Sequence, residues 1–271
     1  MDCANLGQAW TSFNEGACKI STTVIDEGKK REVSGFAFDM RKYRIDLIPA
    51  KAGEKYFSDE AKEYDYTANE IIGQTSTDGV VVSSIGFPRF PGDRISRGLL
   101  QTQGYTHSEI SLNKEAVKYL TAVLCFDERK NADKISVTAP LVYFVGGYDP
   151  NSIGWSKRTC DNAIQVGPRI IEKAQEPLVK KDIRGQAENR VTLSIGSDYY
   201  VYLLFWQKMS LKKVQDILLS KTIGKTIGKT LSPLWAVNIS LRDLAGITTK
   251  GGHVGETEST NAAFIVFSPK L

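Results

Sequence analysis

The sequence predicts an α+β protein, one domain of β-sheets carrying a few helices. Three observations point there. Short runs of alternating or β-branched residues recur along most of the chain, as strands require. Only a few segments show helical spacing or helix caps. No Pro- or Gly-rich linker divides the 271 residues, so residues 1–271 read as a single domain with 1–18 as an N-terminal extension.

Taken in order, Lys19–Ile25, Glu32–Asp39 and Arg41–Ile48 are strand-like, separated by Asp-Glu-Gly and Met-Arg turns. Thr67-Ala68-Asn69-Glu70 has the spacing of a capping box, in which a hydroxyl and a carboxylate satisfy each other's backbone amides, so a short helix starts there. Gly79–Ile85 follows as a buried strand around Val80-Val81-Val82. Leu112, Ala116, Leu120 and Val123 recur at helical spacing and predict a helix over Ser111–Val123. Pro140 interrupts the run Ile135–Phe144 and marks it as an edge strand or a bulge, because proline cannot donate to a sheet ladder. Tyr199–Trp206 is the most apolar stretch but only strand-sized, far short of the ~20 residues that span a bilayer. Ser210 caps a second helix, with Leu211, Val214, Ile217 and Leu218 on one face and Lys212, Lys213 and Asp216 outside. Leu234–Ile239 and Ala262–Phe267 supply the last strands.

Composition excludes some functions. Hydrophobic residues make up 41% and charged residues 24%, enough for a self-sufficient core. The net charge of +4 is spread along the chain, unlike the concentrated basic stripe of a nucleic-acid surface, so no nucleic-acid partner is expected. Four cysteines (Cys3, Cys18, Cys125, Cys160) lack CxxC spacing, and only His107 and His253 could assist them, which argues against zinc. They fit two disulfides, most simply Cys3–Cys18 and Cys125–Cys160 among three possible connectivities; four buried thiols fit the count equally. Met1-Asp2-Cys3 reads as a start placed after a removed leader, and the lean is to an exported protein, periplasmic or extracellular. No cofactor or metal is expected, although calcium held by scattered oxygens would leave no spacing to find.

The most distinctive stretch is Ala163-Ile164-Gln165-Val166-Gly167-Pro168-Arg169-Ile170-Ile171. Gly-Pro breaks an extended run, and an Arg follows whose planar fork suits a phosphate or carboxylate. A second strand-like run opens on Arg190. The plainer reading is a β-bulge bearing a surface Arg in an ion pair. The tandem Thr222-Ile223-Gly224-Lys225 and Thr226-Ile227-Gly228-Lys229 suggests a phosphate loop, but no Gly stands five residues before either Gly-Lys, so it reads as a duplicated loop.

From about Trp10 onward the order of features resembles the phosphodiester glycosidase family. The resemblance is carried by Phe38–Arg44, Thr67–Gly73 leading into Val80–Phe87, Gly98-Leu99-Leu100, the Gln165–Arg169 segment, Arg190–Gly196, Ser210-Leu211 and Ala236–Ile239. It implies curved mixed or antiparallel sheets and cleavage of the bond between a sugar's anomeric carbon and a phosphodiester. It also implies a site built from an Asn-Gly-Gly-Phe-Phe-like turn, the Gly-Pro strand, an Arg before the next strand and an Asn-Leu-Asp-Gly-Gly-like turn. On these positions Gly86, Gln165, Gly167, Arg169, Arg190 and Asn238 bind substrate, with Arg94 and Arg97 added from a loop. Ser84 stands where the family has Asn, Ser240 where it has Asp, and Leu241-Arg242 where it has Gly-Gly. A Ser hydroxyl supplies a hydrogen bond where Asp supplies charge, so hydrolysis is expected to be altered or lost unless Asp243 returns a carboxylate. The candidate catalytic set is therefore Ser84, Ser240 and Asp243. The expected partner is a sugar phosphate or surface polysaccharide. The alternatives are an active hydrolase of sugar-1-phosphodiesters, or an envelope or secretion-associated protein with a protein partner.

Overall fold

Residue pattern and turn chemistry build three antiparallel sheets in the computed structural model, which describes residues 1–50, 67–86, 98–108, 119–128, 141–144, 160–172, 187–196, 200–220, 235–240, 245–255 and 263–270. The largest sheet runs β1 (Trp10–Asn14), β2 (Ala17–Asp26), β3 (Lys29–Asp39), β13 (Tyr200–Met209), β12 (Glu188–Ile195), β14 (Trp235–Asn238), β11 (Arg169–Glu172). The second runs β7 (Tyr105–Ser108), β6 (Leu100–Thr102), β10 (Cys160–Val166), β8 (Ala122–Glu128), β9 (Leu141–Phe144). The third runs β16 (Gly252–Gly255), β15 (Gly246–Thr249), β5 (Val81–Ile85), β17 (Ala263–Pro269), β4 (Tyr43–Pro49). With the α-helices α1 (Ala68–Gly73) and α2 (Leu211–Leu219) among the described residues, this is the expected α+β single domain. Its described ladders are antiparallel throughout.

Local signals explain the hairpins. Asp26 pairs with Lys29 around Glu27-Gly28, both at positive φ, the geometry of a type I′ turn whose twist matches the flanking strands. Gln103-Gly104 repeats it between β6 and β7. The capping box forms as read: Thr67 Oγ1 accepts from the Glu70 amide at 3.2 Å, and the Glu70 carboxylate accepts from the Thr67 amide at 2.7 Å. Ser210 caps α2 by accepting from the Lys213 amide.

One element differs from expectation in its bounds. Residues 111–118 of the helix read over Ser111–Val123 lie outside the described residues, and Val123 belongs to β8. Tyr119 is helical while Leu120 and Thr121 are not, so the reading runs past the helix end into a strand whose residues 122–126 are buried on both faces. Within the N-terminal 18 residues, β1 adds to the large sheet and Cys3 is bonded to Cys18. Pro140 also lies outside the described residues, while β9 beyond it is an edge strand.

The core has three parts. Phe36, Phe38, Leu47, Ile85, Ile164, Leu193 and Phe267 meet between the three sheets, with the Phe38 and Phe267 rings stacked 4.1 Å apart. The other face of the large sheet packs Val33, Leu204 and Trp206 against Val214 and Leu218 of α2. A third cluster seats Ile71 and Ile72 of α1 on Val82 and Phe264. The large sheet is therefore covered on both faces, which is why Tyr200–Trp206 is apolar without alternation.

Both disulfides take the simplest connectivity, Cys3–Cys18 and Cys125–Cys160, and no free thiol remains. Separations of 15 and 35 residues correspond to about 3 to 4 kcal/mol each in the chain-entropy account. Replacing Cys3 and Cys18 by Ser should lower unfolding free energy by about 3 kcal/mol, read from urea denaturation of the oxidised proteins.

At the end of β3, Asp39 is buried and accepts from Arg41 Nε at 2.8 Å, Arg41 Nη2 at 2.7 Å and the Arg41 amide at 3.0 Å. Burial alone would raise this carboxyl. The Arg41 bonds outweigh it and hold the pKa below its usual value. A group with a depressed folded pKa stabilises above its unfolded pKa and loses that contribution as pH falls through the folded value. The stability gap between the native protein and Asp39→Asn should thus be constant near neutrality and close below about pH 4, measured by chemical denaturation across pH.

Candidate functional site

The candidate site gathers where β11, β12 and β14 end. Gly167-Pro168 leads into β11, the last strand of the large sheet, and its outer edge is met by residues 119–121. A Cβ on Gly167 would overlap the Tyr119 carbonyl oxygen and sit 2.6 Å from the Thr121 nitrogen. Only glycine allows this approach, which is the physical content of the Gly-Pro signal. The Arg169 amide donates to Thr121 Oγ1 at 2.8 Å. The Asn238 amide donates to the Pro168 carbonyl at 3.0 Å.

Asn238 and Ser240 anchor the end of β14. Asn238 Nδ2 donates to the Ser240 carbonyl at 2.6 Å and faces the Gly167 carbonyl at 3.4 Å. These two carbonyls fix which end of the amide is which. Asn238 Oδ1 is left buried with no hydrogen-bond partner among the described residues. Such an orphaned acceptor is costly. Ser240 Oγ accepts from the Val191 amide at 2.6 Å, which leaves the hydroxyl proton for a further acceptor. Asn238 is 1% exposed, so Asn238-Ile239-Ser240 offers no access as a glycosylation sequon in the folded chain.

The two arginines do not converge, which corrects the sequence expectation. Arg169 pairs with Val237, which pairs with Leu193, so it shares the face turned to the central core. Arg190 pairs with Trp206 and lies on the opposite face, towards α2. Strand β14 also separates β11 from β12. Arg190 is 5% exposed, donates from Nε to the Met209 carbonyl at 2.9 Å and pairs with Glu188 at 3.4 Å. Burial lowers its pKa, opposed by the Glu188 charge. Arg169 is the half-exposed member of the two.

Gln165 is wholly buried and uses both ends of its amide: Oε1 accepts from the Leu99 amide at 3.1 Å and Nε2 donates to the Leu120 carbonyl at 3.0 Å. It thereby fastens the start of β6 and the approach to β8 onto β10, beside Gly167. Ser84 is buried on β5 opposite Phe264, in the row facing α1, and Gly86 is buried just after it. Among the described residues no hydrogen bond joins either to Asn238 or Ser240. Arg94, Arg97, Asp243 and the 222–229 repeat lie outside the described residues. Among the described residues no group of three His, Cys, Asp or Glu side chains is placed to hold a metal ion.

Residues that sequence reading passed over also shape the site. Thr121 holds the Arg169 amide, and Gln215 of α2 donates from Nε2 to the Ile170 carbonyl. Gln215 did leave a signal: it occupies the apolar stripe of α2, four residues after Leu211.

The fold is that of an open, antiparallel-sheet α+β domain also found in a known glycosidase. The chain is similar over 94% of its length to the catalytic domain of zebrafish N-acetylglucosamine-1-phosphodiester alpha-N-acetylglucosaminidase, auto-inhibited by its pro-peptide. That match has a TM-score of 0.58 and 12% identity, and covers 83% of the zebrafish chain. A hypothetical protein from Synechocystis is similar over 96% of this chain, with TM-score 0.57 and 12% identity; this chain spans 63% of that protein. A Burkholderia pseudomallei protein, provisionally named as exported, matches 89% of this chain and 74% of its own, with TM-score 0.50 and 9% identity. No protein-family model and no curated protein matches the sequence. At these identities the likeness is one of fold.

Proposed function

We propose that this is an exported glycan-phosphate-recognising protein of the phosphodiester glycosidase type, with hydrolytic activity altered or lost. The observation that carries the reading is the orphaned Asn238 Oδ1, an acceptor buried beside the Ser240 hydroxyl at the end of the Gly-Pro strand. Together they offer one acceptor and one donor, the complement of a sugar hydroxyl. Asn238 pairs with Thr192 and so stands on the sheet face opposite Arg169; Arg169 meets the same ligand around the end of β14, where its planar fork suits two phosphate oxygens. Ser240, placed where the resembled family carries Asp, holds no charge to stabilise a leaving group, and its oxygen already accepts the Val191 amide. The fold shared with a catalytic domain that acts on a sugar-1-phosphodiester supports this substrate class. Two disulfides and a neighbour provisionally named as exported support an oxidising compartment outside the cytoplasm.

The test is calorimetric titration with the methyl diester of α-N-acetylglucosamine-1-phosphate, paired with a hydrolysis assay on the same compound. Binding should weaken with salt, and Arg169→Ala should reduce affinity about tenfold or more, the size of one charge-assisted contact. Turnover near that of an active glycosidase would replace recognition with catalysis. Absence of binding, or equal affinity in Arg169→Ala, would remove the reading.

A further inference from the structure

Resting on the assignment of Arg169 to the phosphate, we infer that Thr121 and Gln215 are positioning residues that jointly aim this arginine. The register of β11 against β14 slips by one residue between Arg169 and Ile171, so β11 carries a bulge at Ile170. Bulges of this kind redirect a side chain and recur beside binding sites. A bulge on an edge strand has few ladder bonds to hold it, and here side chains from two other elements take over. Thr121 Oγ1, just before β8, accepts the Arg169 amide at 2.8 Å. Gln215 Nε2 of α2 donates to the carbonyl of Ile170, the extra residue. Ile170 and Ile171 are themselves buried, and the Pro168 carbonyl before them is held by the Asn238 amide. The backbone is thus fixed on both sides of Arg169, while the Arg169 side chain is half-exposed. A buried Gln in the apolar stripe of a helix has a cost unless it is hydrogen-bonded. Here its bond is to the one carbonyl that defines the bulge.

The experiment uses the whole chain and the variants Thr121→Val, Thr121→Ser and Gln215→Leu, each checked for folding by circular dichroism. One measurement needs no ligand: the rate at which phenylglyoxal modifies Arg169, read by peptide mass spectrometry. The other compares affinity for the methyl phosphodiester above with affinity for neutral methyl α-N-acetylglucosaminide. Thr121→Val and Gln215→Leu should change the Arg169 labelling rate several-fold and weaken the diester about tenfold, leaving the neutral glycoside alone. Thr121→Ser keeps the oxygen and should behave as the native protein. A merely structural role would weaken both ligands together. An unchanged labelling rate in either folded variant overturns the role of that residue, and loss in Thr121→Ser overturns the hydrogen-bond account. Should one variant fail to fold, the other decides. If the native protein binds no diester, the functional reading falls and the labelling rates alone judge the positioning.

Discussion

Gly167→Ala should destabilise the protein by about 3 kcal/mol or more, with a melting temperature lower by roughly 6 to 12 °C at this chain length. The added methyl would meet the Tyr119 carbonyl oxygen and the Thr121 nitrogen, both backbone atoms. A flexible side chain could swing aside; these cannot, so the chain must separate β11 from residues 119–121. That movement would also release Gln165, whose Nε2 donates to the Leu120 carbonyl in the same stretch. The expected result is lost stability together with lost ligand binding, read by thermal denaturation and titration. A melting temperature within two degrees of the native protein would show that the close approach carries no energetic weight.

Arg190→Ala should separate stability from recognition. Its side chain is buried on the face of the large sheet that packs α2, and removing it takes an ion-pair partner from Glu188 and a donor from the Met209 carbonyl. Breaking a buried pair in this way costs about 3 to 5 kcal/mol. Arg169→Ala, on a partly exposed residue, should cost less stability than Arg190→Ala and instead remove phosphate affinity. Denaturant unfolding of the two variants provides the comparison. Equal destabilisation, or a stable Arg190→Ala protein that fails to bind, would restore the picture of two arginines serving one ligand.

That picture was a reasonable reading of the chain, because both arginines open strand-like runs, the first after the Gly-Pro bend. Its failure has a specific cause. Side chains alternate along a strand, so a face can be assigned only once the pairing register is known. The register here depends on β14, which lies between the two arginine strands in space yet follows both in sequence. Gln165 illustrates the same limit. Its placement before Gly-Pro was legible as distinctive, but its partners Leu99 and Leu120 come from elements 66 and 45 residues away.

What the sequence determined by itself is local chemistry: the Thr67–Glu70 capping box, the Ser210 cap, the Asp-Glu-Gly turn and the apolar strands, with the cysteine count leaving three pairings open. These follow from interactions within a few residues or from counting, which a linear string records. Tertiary structure alone decided that Thr121 and Gln215 flank Arg169, that Arg190 turns to α2, and that Asn238 keeps a bare acceptor. Each of these depends on which distant backbone lies alongside, and a shift of one residue in pairing would reverse the face on which the strand residues Arg169, Arg190 and Asn238 stand.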